Sequence, residues 1–377
     1  MVYYFNNAAG AYPLTSGVGE AVACSLNEPP QVSGRDAVAD SDKLFRCRDK
    51  IADILGTSSA RIVLVHGATY ALNTAILGLN LKRDDLIVTS VMEHNSVLRP
   101  LAYLEYRCGV KVEHIPLIKQ IKDGFAELDA DAYSKLLARK PRLVVLTHAS
   151  NVTGRINPIK EMFEAAKSVG AITLLDASQT VGRIPVNTNE LYADMIAFPG
   201  YKGLRGTPGT GALYVSGQIR LEPVFTGGTG IKSDVRLMPD DMPLRLEPGT
   251  PNTPAFAGLC VAVEYCLRHI EEIVAEERKI TERLLCGLST IPNVRLLDTE
   301  PCERLPVLSF VIDGVDAETV GYALKESFGV ICRTGLHCAP LMHAALGVCG
   351  TVRLSPSYMN CMEEIEYVLE AVRKIAQ

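Results

Sequence analysis

The sequence predicts an α/β protein with a mostly parallel sheet in a large domain and a smaller α+β domain at the C-terminal end. Three observations support this fold class: the size of the chain, an alternation of apolar strands with helices, and a change of pattern near residue 250. With 377 residues, 47% of them hydrophobic, the chain exceeds the size that one core usually serves. Two domains are therefore expected.

Short apolar runs alternate with stretches of helical spacing between residues 60 and 215. The predicted strands are RIVLV (61–65), LIVTSV (86–91), LVVLTH (143–148), AITLLD (171–176), DMIAF (194–198) and GALYV (211–215). Helical spacing covers 70–79, 130–138 and 159–169. Apolar strands separated by helices predict a largely parallel sheet covered on both faces, with ligands at the carboxyl ends of the strands. The chemistry is therefore expected in the loops that follow these runs.

A Pro/Gly/Thr-rich stretch, LEPGTPNTP at 246–254, interrupts this pattern. After it we predict a long helix from about Phe256, a strand at 305–312, a helix at 316–327, extended pieces at 330–334 and 351–355, and a terminal amphipathic helix from Met362. We therefore assign residues 13–253 to the large domain, and residues 1–12 with 254–377 to the small one.

Composition and charge exclude several classes of partner. A formal net charge of -5 leaves no basic excess to bind nucleic acid. The N-terminal residues do not resemble a signal peptide, and no apolar run reaches the roughly 18 residues of a membrane span, so we expect a cytoplasmic protein without a membrane partner. The eleven cysteines are then expected to stay reduced. His337, Cys338, His343 and Cys349 lack any standard zinc spacing, and no metal site is expected.

The predicted strands are followed by an unusual set of polar residues. Taken singly, each of these residues is an ordinary turn or loop residue. Together they match what pyridoxal phosphate (PLP) requires, namely a carboxylate for the pyridine nitrogen, a flat partner for the ring, a helix N-terminus for the phosphate and a lysine for the Schiff base. The candidates, in that order, are Asp176, His94, the turn Gly67-Ala68-Thr69 and Lys202.

These residues lie in motifs that are spread over nearly the whole chain in a fixed order. The motifs are YFNNAAGAYP, HGATYALN, MEHNSVLRP, SNVTGRINP, DASQTVGRIPV, FPGYKG, GTGALYV, LEPGTPNT, RTGLHCAP and TVRLSPSYMN. The sequence resembles the class V aminotransferase family, and within it the cysteine desulfurase and selenocysteine lyase branch. The resemblance implies the PLP-dependent transferase fold of type I, with a mostly parallel sheet of the seven-stranded type in the large domain and a small α+β C-terminal domain.

The resemblance also implies a role for each matching residue. Lys202 would carry PLP, Asp176 would pair with the pyridine nitrogen and His94 would stack on the ring. The remaining cofactor contacts would come from Ala68, Thr69, Asn151, Gln179 and Tyr201, with Thr250 reaching the phosphate of the partner subunit in a homodimer. Substrate contacts would come from Ala8, Asn151 and Arg353, the last of which would bind the carboxylate through its planar guanidinium. The motif Pro199-Gly200-Tyr201 departs from the Ser-Gly-His or Ala-Gly-His of desulfurases, so two polar contacts near the phosphate are altered.

Cys338 distinguishes the possible reactions. It lies in a Gly- and Pro-bounded segment with Arg333 five residues before it and His337 adjacent, groups that would favour a nucleophilic thiolate. The segment RTGLHCAP resembles that of group II, Suf-type, desulfurases. This resemblance implies that L-cysteine is converted to L-alanine, that a persulfide forms on Cys338, and that an acceptor protein for sulfur or selenium is a possible partner. A selenocysteine lyase, a class V aminotransferase and a non-catalytic PLP-binding scaffold remain as alternatives.

Overall fold

The computed structural model describes residues 2–29, 43–118 and 126–377. The N-terminal part contains β1 (Tyr3–Tyr4), α1 (Val18–Leu26) and α2 (Lys43–Leu55). The part that follows alternates strands and helices: β2 (Ile62–Val65), α3 (Ala68–Gly78), β3 (Leu86–Ser90), α4 (Asn95–Cys108), β4 (Lys111–Ile115), α5 (Ala130–Leu137), β5 (Leu143–Thr147), α6 (Ile159–Ser168), β6 (Ile172–Asp176), β7 (Met195–Pro199) and β8 (Gly211–Val215). All six strands predicted from the apolar runs are present.

The large sheet has seven strands in the order β2-β8-β7-β6-β5-β3-β4. All neighbouring pairs are parallel except those that involve β8, which is antiparallel to both β2 and β7. The connection 200–210 between β7 and β8 is too short for a helical crossover, and this explains the reversed direction of β8. The prediction of a mostly parallel sheet is confirmed, and the carboxyl ends of the parallel strands share one edge.

Strand β4 at the edge of this sheet was not predicted from the sequence. Its residues KVEHI are mostly half-buried or exposed, and Ile115 alone is buried. An edge strand packs on one side only and carries charged residues that discourage pairing with other chains, so it lacks the continuous apolar run of the inner strands.

The C-terminal part begins with α7 (Thr253–Ser289), which is capped by the Asn252 side chain accepting from the Ala255 amide at 3.3 Å. Then follow β9 (Val294–Leu296), β10 (Leu308–Ile312), α8 (Ala317–Phe328), β11 (Val330–Ile331), β12 (Arg333–Gly335), α9 (Pro340–Ala345), β13 (Thr351–Leu354) and α10 (Met362–Ile375). Strands β12, β13, β10 and β9 form an antiparallel sheet in that order, and β1 pairs in parallel with β11.

Two hydrophobic clusters cover the faces of the large sheet, and a third is built around the small sheet. The third cluster joins Phe5 near the N-terminus with Leu284 of α7, Phe310 of β10 and Val368 of α10. We propose a domain division near residue 253, with the first dozen residues belonging to the small domain, because Phe5 shares its core. No helix in the described part of the chain has the length and hydropathy of a bilayer-spanning segment.

Candidate active site

Lys202 lies in the loop that leaves β7, at the edge of the large sheet where the parallel strands end. The loop packs so tightly that a Cβ atom on Gly200 would lie 2.3 Å from the Thr210 hydroxyl oxygen. Burial, with a smaller contribution from the guanidinium of Arg353, lowers the pKa of Lys202 to about 8 against the opposing effect of Asp176. About a tenth of the amine is therefore unprotonated, and thus nucleophilic, at pH 7.

Asp176 is the last residue of β6 and is almost completely buried. Its Oδ1 atom accepts hydrogen bonds from the Ser178 amide at 2.9 Å and from the Ser178 hydroxyl. The carboxylate therefore forms the turn that ends the strand, and it also acts on Lys202 through its charge. Asp176 thus both forms the turn after β6 and raises the pKa of Lys202.

The N-terminus of α3 provides an anion-binding geometry. Gly67 precedes the helix with a φ of 145°, and a Cβ atom on Gly211 would lie 2.7 Å from the Gly67 Cα, so the two backbones approach closely. Thr69 in the first turn shares a 2.7 Å hydrogen bond with the Ser96 hydroxyl. Free amides and the helix dipole at this end favour a phosphate.

His94 caps α4 and is fixed in one tautomer. Its Nδ1 accepts from the Ser96 amide at 3.0 Å, which leaves the proton of the neutral ring on Nε2. Burial lowers the pKa of His94 to about 4, and the positive charge of Lys202 adds to this effect. The ring is therefore neutral at physiological pH, as a stacking partner should be.

Arg353 on β13 is 1% exposed and has no carboxylate partner among the described residues. Its guanidinium donates to the Asn151 carbonyl at 2.9 Å and to Asn6 Oδ1 at 3.2 Å. Burial, with a smaller contribution from Arg333, which lies opposite in the β12–β13 register, lowers the pKa of Arg353 to about 9. Two adjacent cations, the buried Arg353 and the half-buried Arg333, favour the binding of an anion such as a substrate carboxylate.

Cys338 lies in a left-handed turn that is fixed from several sides. His337 and Cys338 have φ values of 48° and 59°. The Cys338 carbonyl accepts from the Asn95 amide, and the His337 carbonyl accepts from Asn151 Nδ2, both at 2.7 Å. The Arg333 Nη2 atom donates to the Cys338 sulfur at 3.2 Å. The turn therefore presents the thiol to the guanidinium.

The sequence suggested that both Arg333 and His337 support a thiolate, but only Arg333 contacts the sulfur. The His337 Nε2 atom instead bonds the Thr351 hydroxyl at 2.8 Å, and burial followed by the charge of Arg353 holds its pKa far below the usual value. A neutral imidazole cannot act as a cationic partner for sulfur. This part of the sequence interpretation is wrong for His337.

An open cavity of about 550 Å³ has Thr69, His94, Ser96 and Cys338 in its wall. Its size lies within the range of small-molecule sites. Cys338, the candidate nucleophile, therefore faces the same cavity as His94 and Thr69, the candidate contacts for the ring and the phosphate.

Comparison with known proteins identifies the family of this site. The model of the aminotransferase class-V family matches residues 32–368, which is most of the chain. The chain belongs to the class V aminotransferase family. It is 33% identical to a probable cysteine desulfurase of Methanothermobacter thermautotrophicus, over 99% of this chain and 95% of that protein. It is also 33% identical to a cysteine desulfurase of Synechococcus elongatus, over 90% of this chain and 54% of that protein.

Solved structures confirm the predicted fold. The apo structure of a cysteine desulfurase from Thermococcus onnurineus NA1 superimposes with a TM-score of 0.91 at 31% identity, covering 100% of this chain and 94% of that one. The class V chain thus falls in the cysteine desulfurase branch, and the fold expected from the resemblance is shown.

The residues of this class V site fit the PLP that the family implies. Among the described residues, the buried Gln179 Oε1 and Arg353 Nε atoms have no hydrogen-bond partner. Gln179 is held in place by its Nε2 atom, which donates to the Ala8 carbonyl at 3.1 Å. Buried polar atoms without partners are costly unless a ligand completes them. Together with the desolvated Lys202 amine, they match a polar cofactor and a charged substrate.

Two of the predicted cofactor residues, Thr250 and Tyr201, are placed differently from the others in this class V chain. Thr250 is exposed and lines a different cavity, together with His66 and Tyr70. Its predicted role therefore requires a second chain. Tyr201 is half-buried, and a Cβ atom on Gly67 would lie 3.8 Å from its ring, so the tyrosine that replaces the customary histidine borders the α3 N-terminus.

Sequence reasoning missed Ser96, which joins the predicted ring and phosphate residues of the class V site. Its hydroxyl bonds both Thr69 and His94 Nδ1, at 2.7 and 2.9 Å. The signal that could have found it is its place two residues after His94, where a helix start brings a side chain back to its cap.

Proposed function

We propose that the protein is a PLP-dependent cysteine desulfurase that converts L-cysteine to L-alanine and transfers the sulfur atom to Cys338. The hydrogen bond from Arg333 to the Cys338 sulfur carries this proposal, because neither an aminotransferase nor a non-catalytic scaffold needs a thiol paired with a cation in its cofactor cavity. The relatives named cysteine desulfurase support the same activity.

The cofactor would be held by residues from several strand ends. Lys202 would attach it, Asp176 would pair with its pyridine nitrogen and His94 would cover its ring. Ala68 and Thr69 would bind its phosphate at the start of α3, with Asn151, Gln179 and Tyr201 around its edge. When bound, PLP withdraws electrons from the substrate, so that the α-proton can leave and the bond from carbon to sulfur can break.

Arg353 and Lys202 would act on the substrate at its two ends. The buried guanidinium of Arg353, which donates to the Asn151 carbonyl, would bind the carboxylate and so fix the orientation of the α-carbon. Ala8, whose carbonyl accepts from Gln179, would be a further substrate contact. Lys202 would take the α-proton once its amine is free, and would return a proton later. A pKa of about 8 suits both transfers near neutral pH.

Cys338 would then attack the substrate sulfur as a thiolate. A sulfur–sulfur bond forms, the carbon–sulfur bond breaks, and its electron pair stays with the carbon that is later protonated to give alanine. Arg333 stabilises negative charge on the attacking sulfur through its hydrogen bond at 3.2 Å. The product is a persulfide on Cys338, from which an acceptor takes the sulfur.

We further propose a cytoplasmic homodimer in which Thr250 of each chain contributes to the phosphate site of the other. The exposure of Thr250 on a cavity away from Cys338 supports a contribution across an interface.

All eleven cysteines are free thiols, as expected in a reducing compartment. A protein acceptor of sulfur would have to approach Cys338 through the open cavity.

Incubation of the purified protein with L-cysteine tests this function most simply. Alanine and sulfide should appear in equal amounts in the presence of a thiol reductant. Cys338→Ala should lose this activity, whereas Cys349→Ala, at an exposed cysteine before β13, should retain it. Alanine formed from L-selenocysteine alone would favour the selenocysteine lyase. Consumption of L-cysteine that requires a keto acid and releases no sulfide would favour the aminotransferase.

A further inference from the structure

A second cavity, of about 440 Å³, lies between the C-terminal half of α7 and the segment 302–306. Its wall includes Arg183 from the connection between β6 and β7, Glu277 from α7, and Cys302. None of the residues that we assign to the cofactor or to the substrate lines it. The volume is nevertheless that of a small-molecule site.

Two charged side chains in this wall have buried atoms that lack hydrogen-bond partners. Arg183 is 2% exposed, yet its Nε and Nη1 atoms have no acceptor within the described part of the chain. Glu277 is 4% exposed, and its Oε2 atom is equally unpartnered. Arg183 Nη1 and Glu277 Oε2 are 3.7 Å apart, which is longer than a hydrogen bond. Charged atoms buried without hydrogen bonds are unfavourable unless another molecule completes them.

Other arginines near the cavity are better satisfied. Arg304 donates to the carbonyls of Asp298 and Glu300 at 2.8 and 2.7 Å. Arg155 forms two hydrogen bonds with the Asp298 carboxylate, at 2.8 and 2.9 Å. Among the described residues that line this cavity, the buried polar atoms without hydrogen-bond partners thus belong to Arg183 and Glu277.

The cavity wall also carries the exposed carboxylates of Glu282 and Glu303 and the guanidinium groups of Arg278 and Arg304, so the excess of positive charge lies at its buried end, around Arg183. The positive charge of Arg183 lowers the pKa of two cations of the active site, Lys202 and Arg353. It also lowers the pKa of Arg205, which is buried as well. Glu277 is the one carboxylate with which Arg183 forms an ion pair among the described residues, and that pair is long. Arg183 and these three cations therefore have few negative charges near them. A bound carboxylate would offset part of the repulsion among the four.

We propose that this cavity binds a small carboxylate that carries a hydrogen-bond donor on its α-carbon, that is, an α-hydroxy or α-amino acid. The carboxylate accepts from Arg183, and the α-hydroxyl or α-ammonium group donates to Glu277 Oε2. The ligand thereby satisfies donor and acceptor together. A simple carboxylate such as acetate leaves Glu277 unpaired and binds more weakly.

Two cysteines of the chain allow a direct test on the PLP-loaded protein. Cys302 lines the proposed site and Cys338 lines the active-site cavity. The alkylation rate of each is measured by mass spectrometry at a fixed alkaline pH, with increasing glycolate or acetate. Glycolate is the probe because it carries the α-donor but no amine that could react with the cofactor. Glycolate should slow the alkylation of Cys302 saturably, whether or not it also enters the substrate site and slows that of Cys338, whereas acetate should require a concentration about tenfold higher.

Arg183→Gln should abolish the protection of Cys302 by glycolate. Arg268→Gln, at an exposed arginine of the same helix α7, should leave that protection intact. If Arg183→Gln does not fold, the difference between glycolate and acetate in the wild type decides. Slower alkylation of Cys338 alone would place glycolate in the substrate site, and unchanged rates at both cysteines would mean that the cavity holds only water. Either result overturns the proposal.

Discussion

Arg333 and Cys338 are joined by a hydrogen bond of 3.2 Å from the guanidinium to the sulfur. The two residues lie five positions apart, on β12 and in the left-handed turn that follows it. This contact is short-range in sequence, but it requires the unusual backbone of His337 and Cys338. The nucleophile and its cation are therefore positioned by one compact segment.

Replacing Arg333 should slow the reactions of the Cys338 thiol. Arg333→Gln keeps a polar side chain but removes the positive charge, and charge-assisted hydrogen bonds contribute about 1.5–3 kcal/mol. We expect alkylation of Cys338 by iodoacetamide at pH 7 to slow by about tenfold or more. Arg99→Gln serves as the control, because Arg99 is exposed and lines the same cavity without a bond to the sulfur. Equal rates for wild type and Arg333→Gln would contradict the role of this contact.

Lys202 should be unusually reactive in cofactor-free protein. Because its pKa is lowered to about 8 from the ordinary 10.5, its amine is largely protonated at pH 7 and largely free at pH 9. The rate of modification by an acylating reagent, followed at the Lys202 peptide, should therefore rise with a midpoint near pH 8. Asp176 raises the pKa of Lys202, so Asp176→Asn should move this midpoint to lower pH. A midpoint above pH 10 in the wild type would show that the amine is not desolvated.

The buried hydroxyl of Thr351 should stabilise the turn that carries Cys338. It bonds His337 Nε2 at 2.8 Å and His343 Nε2 at 3.2 Å, and His343 Nδ1 bonds the Ala339 carbonyl. Thr351→Val leaves both ring nitrogens without a partner, at a cost of about 1–3 kcal/mol for each buried polar group.

Urea unfolding should therefore show a lower free energy of unfolding for Thr351→Val. Thr351→Ser keeps the hydroxyl and should restore most of the loss. If Thr351→Val, which nearly conserves the volume of threonine, unfolds with the free energy of the wild type, the hydroxyl does not stabilise the turn.

Gly200→Ala should displace the loop that carries Lys202. The added Cβ would lie 2.3 Å from Thr210 Oγ1 and 2.7 Å from a Leu259 methyl group, and both neighbours are packed in the interior. We expect the purified variant to bind much less PLP, as measured by its visible absorbance per chain. Gly228→Ala is the matched control, because an added Cβ there meets no atom within 4 Å. Full cofactor content in Gly200→Ala would mean that the loop adjusts at little cost.

The sequence predicted the inner strands and the site residues that follow them, because both depend on local patterns. Asp176 and Lys202 each come directly after an apolar run, and parallel strands bring their carboxyl ends together. The partner of His337 could not be predicted, because Thr351 and His343 reach it only through the packing of α9 against β13. The missing hydrogen bonds of Arg183 and Glu277 were equally hidden, since the separation of these residues in the chain gives no periodic signal.

The most direct test of the account is the location of sulfur after a brief exposure of the wild-type protein to L-cysteine. Mass spectrometry of the digested protein should place a persulfide on the peptide that contains Cys338, and Cys338→Ala should form neither this adduct nor alanine at a comparable rate. A persulfide on Cys332 or Cys349 instead, or normal formation of alanine by Cys338→Ala, would contradict the assignment of Cys338 as the sulfur acceptor.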